Sequence, residues 1–239
     1  MNSSVKDYKL LYLLQDKVLS WWKGLGYPLY LTGGTALGRF YLSHRLSDDL
    51  DFFANSDPNF SIYTSEIYRK ADKEFQVDRE QIILSEDFMR FFIVEGGFSL
   101  KVELVNDVGY RAGVPLVYEY GYLDTPLNIL SNKITALCGR DEPKDVFDIL
   151  SISVNYGFNW KEVFSHSKQK AVINEIDVVQ RLYEFPTELF STIMTIGEPV
   201  DSAALSIQIQ QIADDFMLGR NNSLGYGKGD IESAVPAGH

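Results

Sequence analysis

Apolar residues along this chain fall into two rhythms. Over residues 5–23, Leu10, Leu11, Leu14, Val18 and Trp22 recur every three or four positions, the spacing of one helix face. Gly24, Gly26 and Pro28 punctuate its end. Leu29-Tyr30-Leu31-Thr32 is short and β-prone, Gly33-Gly34 follows, and Thr35 to Tyr41 predicts a short helix. After a polar loop, Asp49-Leu50-Asp51-Phe52-Phe53 alternates polar and apolar, as a half-buried strand does. A helix is predicted over 61–75, and strands over 81–84, 89–94 and 100–104, the last two joined by a Gly96-Gly97 hairpin turn. Beyond Pro126 the period becomes helical and stays so. It predicts helices over 126–137, 143–155, 160–170, 175–184 and 201–218.

Strands first and helices after predict an α+β lobe over residues 1–125 and a helical lobe over 126–220. Residues 221–239 are rich in glycine and polar side chains and are expected to form a flexible tail.

Composition narrows the class. With 239 residues, 45% hydrophobic and 23% charged, the chain can bury a sizeable core, and bulk disorder or a fibrous repeat is excluded. The single cysteine, Cys138, excludes a disulfide framework or cysteine-based metal cluster and fits a reducing, cytoplasmic setting. No apolar run approaches a membrane span, and the N-terminal segment lacks the pattern of a signal peptide. A net charge of −11, from 22 basic and 33 acidic residues, excludes a general nucleic-acid coat. Nucleotide chemistry on such a chain needs locally grouped cations or bound metal ions.

Both devices can be read in the sequence. A strand followed by Gly33-Gly34-Thr35 and a helix lets the backbone approach a bulky anion, with amide groups facing it. Asp49 and Asp51, two apart on a strand, point to one face. Side-by-side carboxylates repel unless a cation lies between them, and Mg²⁺ is the natural hard ion for oxygen ligands. Two such ions can clamp the attacking and leaving oxygens of an in-line displacement. A third carboxylate is usually needed, and Glu103 is the candidate, sharing a strand face with Lys101 in Lys101-Val-Glu-Leu. Arg45, in the loop before the acidic strand, either reaches a phosphate or braces Asp49. His44 is given no ligand role, and Ser47 caps the loop rather than acting as a nucleophile. Downstream, Lys133, Arg140 and Lys144 fall at steps of seven and four, one stripe if a single helix carries them. A triphosphate is the natural partner of such a stripe. Asp145 and Asp148 border it and could orient the cations, ligate metal or deprotonate an attacking hydroxyl.

Gly33-Gly-Thr-Ala-Leu followed by His44-Arg-Leu-Ser-Asp-Asp-Leu-Asp-Phe-Phe resembles the AbiEii/AbiGii-type toxin family, minimal nucleotidyltransferases of the polymerase-β superfamily. Lys133, with the run Arg140-Asp-Glu-Pro-Lys-Asp-Val-Phe-Asp148, resembles the family's second block. The two blocks span residues 31–148, and the C-terminal third carries no further match. Many relatives have Asp where Glu103 stands; Glu keeps the charge with a longer reach.

The resemblance implies a polymerase-β-like mixed sheet with flanking helices, a helical C-terminal lobe, and a nucleotide lying between the lobes. Gly33, Gly34, Thr35, Arg45, Lys133, Arg140 and Lys144 would bind the nucleotide. Asp49, Asp51 and Glu103 would bind Mg²⁺, and Lys144, Asp145 or Asp148 would assist catalysis. The implied reaction moves NMP from an NTP to an acceptor hydroxyl, with RNA such as a tRNA end favoured. The implied setting is the toxin of a toxin–antitoxin or abortive-infection system, with a cognate antitoxin. The alternatives are NMP transfer to a protein or small molecule, or a nucleotide-binding regulatory module without turnover.

Overall fold

The computed structural model describes residues 7–196 and 202–237. The elements run α1 (Tyr8–Lys23), β1 (Tyr30–Thr32), α2 (Gly33–Leu37), a π-helical turn (Gly38–Leu42), β2 (Leu50–Asn55), α3 (Phe60–Glu74), β3 (Val77–Leu84), β4 (Phe88–Glu95), β5 (Phe98–Asp107), β6 (Leu116–Tyr118) and β7 (Gly121–Leu123). Then follow α4 (Pro126–Gly139), α5 (Pro143–Asn155), α6 (Trp160–Lys168), α7 (Glu175–Tyr183), a 3₁₀ segment (Thr187–Thr192), α8 (Ser202–Met217) and a final 3₁₀ turn (Ile231–Ser233). Residues 5, 6 and 201, at the starts of two predicted helices, lie outside the described residues.

The chain forms two compact units that interleave in sequence. The first comprises residues 1–35, 47–109 and 115–123, and the second residues 36–46, 110–114 and 124–239. The expected division at residue 125 therefore misses the early segment 36–46, which belongs with the late helices.

In the first unit the described strands form one seven-stranded mixed sheet in the order β3-β4-β5-β2-β1-β7-β6. The β2–β5 and β1–β7 pairs are parallel and the others antiparallel. Alternation works as the sequence predicts. Leu50, Phe52 and Ala54 of β2, Leu100, Val102 and Leu104 of β5, and Met89, Phe91 and Ile93 of β4 are buried on one face. Helices α1 and α3 pack there. Trp22 stacks on Phe52 with centroids 3.6 Å apart, and Tyr68 meets Phe91 edge-on at 6.1 Å. The Gly96-Gly97 hairpin turn forms as read, both glycines having positive φ (60° and 85°), which the tight two-residue turn requires. Strands β6 and β7 carry too few alternating positions to stand out in the sequence.

The second unit is helical. α4 starts at Thr125, whose side chain caps Asn128 N–H, with Pro126 in the first turn. Its core joins Leu130, Ile134 and Leu137 to Ile149, Trp160, Phe164, Leu182 and Phe216, all buried. Phe40 of the π turn is buried in this unit, and its carbonyl accepts from Ala237 N–H at 2.8 Å. The segment after Asn221 packs instead of trailing. Ile231 is buried, Asn222 Nδ2 donates to the carbonyls of Ser153 and Tyr156, and Gly157 N–H reaches Gly229 O at 2.9 Å. Polar composition suggests a flexible tail, but described residues 221–237 dock on the helical unit through Asn222 Nδ2 and backbone hydrogen bonds.

Candidate active site

Register builds the polar face of the sheet. Asp51 pairs with Glu103 across β2 and β5, Glu103 with Arg90 across β5 and β4, and Asp51 with Thr32 across β2 and β1. Directly opposed side chains lie roughly 5 Å apart, so Arg90, Glu103, Asp51 and Thr32 form one row across four strands. Leu50 pairs with Val102, so Asp49, just before β2, falls beside Lys101. Lys101 Nζ lies 3.0 Å from Asp49 Oδ2 and 3.3 Å from Glu103 Oε2, and Arg90 Nε donates to Glu103 Oε1 at 2.6 Å.

The electrostatics follow from this packing. Burial first, then the charges of Glu103 and Asp49, push the Asp51 carboxyl up to about 7, against the pull of Lys101. Burial also raises Glu103, but Lys101 and Arg90 outweigh it and hold that carboxyl below its ordinary value. A buried carboxyl raised in this way lacks enough neighbouring positive charge. A divalent cation with oxygen ligands answers that shortage, and Asp49, Asp51 and Glu103 fit such an ion by charge and donor type. Among the described residues no three such side chains already stand as a metal cage. Between Asp49 and Glu103 stands the Lys101 ammonium.

Gly33 closes on the row from β1. Its φ is +69°, and a Cβ there would sit 2.7 Å from Asp51 Oδ2. Glycine is therefore required twice, for conformation and for space. Gly34 and Thr35 are buried, and the Thr35 hydroxyl donates to the Asp49 carbonyl, tying the turn to the acidic strand. α2 has only five residues before the π turn, so close backbone approach matters here more than a helix dipole.

The downstream residues assemble inside the second unit. α4 ends at Gly139, Arg140 is extended (φ −156°, ψ 154°), and α5 begins at Pro143. The single helical stripe expected for Lys133, Arg140 and Lys144 is thus broken, because Pro143 starts a new helix. The cations meet carboxylates instead. Lys133 Nζ lies 2.6 Å from Asp145 Oδ1 and 2.8 Å from Asp148 Oδ2, and Arg140 Nε donates to Asp145 Oδ2 at 2.7 Å. Arg45 Nε and Nη2 grip Asp148 at 2.6 and 2.8 Å, and His44 Nε2 joins at 2.8 Å. Asp148 and Arg45 are buried. Burial alone would raise the Asp148 carboxyl, but Lys133, Arg45 and His44 hold it well below the carboxylate range. Lys133 is buried too, whereas the Arg140 side chain is 60% exposed. Lys144 is half-buried at the start of α5.

Three residues of these clusters are given no ion-pairing role by the sequence reading. The ion-pairing role of Lys101 was visible in its shared face with Glu103. That of Arg90 follows from counting back equally from the Gly96-Gly97 turn, which sets it opposite Glu103. His44 gave no such signal, because its partner lies 104 residues away.

Comparison with known proteins bears on the fold and the family. The chain is similar in fold to JHP933 from Helicobacter pylori, at 19% identity, covering 90% of this chain and 94% of that one with a TM-score of 0.56. It is also similar to MenT4, a nucleotidyltransferase toxin from Mycobacterium tuberculosis, at 14% identity, covering 91% and 86% with a TM-score of 0.51. No curated protein matches it significantly. The sequence profile of the nucleotidyl transferase AbiEii toxin, type IV toxin–antitoxin system, matches residues 20–223. With most of its length matched, the chain belongs to the AbiEii toxin family and is a nucleotidyltransferase.

Proposed function

We propose that this nucleotidyltransferase moves NMP from an NTP to a hydroxyl at an RNA end, such as that of a tRNA, in a Mg²⁺-dependent reaction that releases pyrophosphate. The acceptor oxygen forms a bond to the α-phosphorus, the bond from the α-phosphorus to the bridging oxygen of the β-phosphate breaks, pyrophosphate leaves, and the acceptor's proton passes to solvent. The observation that carries the reading is that Asp51 and Glu103 are paired, with Asp49 on the same strand face, beside the Gly33 turn. Asp49, Asp51 and Glu103 would hold the metal, which when bound offsets phosphate charge and polarises the reacting oxygens. Gly33 admits the backbone to the carboxylates, and Thr35 fixes the Asp49 carbonyl. The RNA acceptor rests on the family resemblance, as does a cognate antitoxin.

The test is incubation with each α-labelled NTP, Mg²⁺ and total RNA. Label should enter RNA with the wild type. Asp51→Asn should lower that transfer by more than about 100-fold, since residues that merely support metal ligands already account for 10–100-fold. Induced expression in a bacterial host should arrest growth, and Asp51→Ala should relieve the arrest. Label appearing on protein or a small molecule would overturn the RNA acceptor. No transfer to any acceptor would overturn the reaction.

A further inference from the structure

Lys101 stands among the carboxylates of the sheet's polar face, and the proposed chemistry does not use it. Its ammonium stands 3.0 Å from Asp49 and 3.3 Å from Glu103, two of the carboxylates assigned to the metal. Sheet register puts it there: β5 runs parallel to β2, so Lys101 stands to Asp49 as Glu103 stands to Asp51. The side chain is only 25% exposed. Arg90 anchors the far side of Glu103 at 2.6 Å, so Glu103 is held between two cations of the chain itself.

We propose that Lys101 is a resident counter-cation of the metal site. It holds Asp49 and Glu103 together before metal binds and must be displaced for a divalent ion to engage both. The inference rests on the reading of these carboxylates as metal ligands. Its physical basis is electrostatic exclusion. A univalent ammonium and a divalent ion cannot share the same carboxylate oxygens without strong repulsion, so each weakens the other. The ammonium also relieves repulsion among the carboxylates, which an empty cage would leave uncompensated. Metal loading is therefore an exchange of one cation for another, and the free protein is a weaker metal binder than its carboxylates alone would make it.

The experiment measures Mn²⁺ binding to the full chain by electron paramagnetic resonance, without nucleotide, alongside thermal unfolding with and without Mn²⁺. Lys101→Met keeps the apolar stem and removes the charge. It should bind Mn²⁺ at least about fivefold more tightly than the wild type, the scale of losing one partly exposed competing charge. It should also unfold at a lower temperature without metal and gain more from Mn²⁺. Lys101→Arg, which keeps the charge, should stay near the wild-type affinity. Lys101→Gln gives the same test if the methionine variant folds poorly. Wild-type binding with unchanged or weaker binding in the charge-removed variants overturns the exchange and leaves the metal site standing. No Mn²⁺ binding in the wild type or any Lys101 variant overturns the metal site itself, and the exchange with it.

Discussion

A methyl group at position 33 would need space that Asp51 already fills. The built Cβ falls 2.7 Å from Asp51 Oδ2, and the backbone there is left-handed at φ +69°. Gly97 offers a natural comparison, because its φ is +85° yet nothing lies within 4 Å of an added Cβ. Both Gly33→Ala and Gly97→Ala should lose stability through backbone strain, about 1–2 kcal/mol each. Only Gly33→Ala should also push the Asp51 carboxylate out of its row and lower NMP transfer sharply. Equal transfer by the two folded variants would show that Gly33 is needed for its turn alone. Urea unfolding and the labelled-NTP assay together separate the two effects.

Among the elements, α5 carries a buried and heavily engaged carboxylate, Asp148. Asp148 accepts from Arg45 and His44, which precede β2 in sequence, and pairs with Lys133 of α4. Removing one partner of such a buried set leaves unpaired charge. Asp148→Asn should destabilise the chain by about 3–5 kcal/mol at neutral pH. The folded-state carboxyl lies far below its usual range, so its contribution is complete above the unfolded value of about 3.9 and is lost as pH falls through the folded value. Wild-type stability should therefore drop steeply below about pH 4, and the variant should show a shallower acid slope. Parallel slopes in urea melts from pH 7 to pH 3 would mean that Asp148 is not the group responsible. This network also marks where the sequence stopped being legible. The helices from Pro126 onward and the β2, β4 and β5 strands could be read because their periods are long and regular. The acidic row was legible because alternation sets which residues share a face. Lys133, Arg140 and Lys144 were read as one stripe because seven and four are helical steps, but the Arg140 backbone is extended and Pro143 restarts the helix. Spacing counts residues along an assumed element and cannot reveal where that element breaks. Nor can it supply a partner as distant as Arg45 is from Asp148.

On the scale of the whole chain, the boundary suggested by the change from strands to helices is not where the molecule divides. The strand-rich half contains residues 36–46, which belong to the helical unit. Phe40 is buried there, Arg45 is buried on Asp148, Leu46 N–H reaches Met194 O at 2.8 Å, and Ile196 N–H reaches His44 O at 3.2 Å. A fragment ending at residue 125 would keep this segment but lose its helical partners, exposing Phe40 and stranding the Arg45 guanidinium. The complementary fragment from residue 126 would keep Asp148 but lose Arg45 and His44, leaving one buried carboxylate with Lys133 as its remaining partner from this set. Truncating one side of a buried charged network costs several kcal/mol, comparable to much of a domain's stability of about 5–15 kcal/mol. Neither fragment should unfold cooperatively alone, whereas the full chain should. Mixing the two could restore a transition, because the pairs that join segment 36–46 to the later helices need no peptide bond between them. Circular dichroism melts of each fragment, of the mixture and of the intact chain test this. A sharp transition in the 1–125 fragment alone would mean that segment 36–46 is dispensable for folding the sheet and that the break at residue 125 is a true domain boundary.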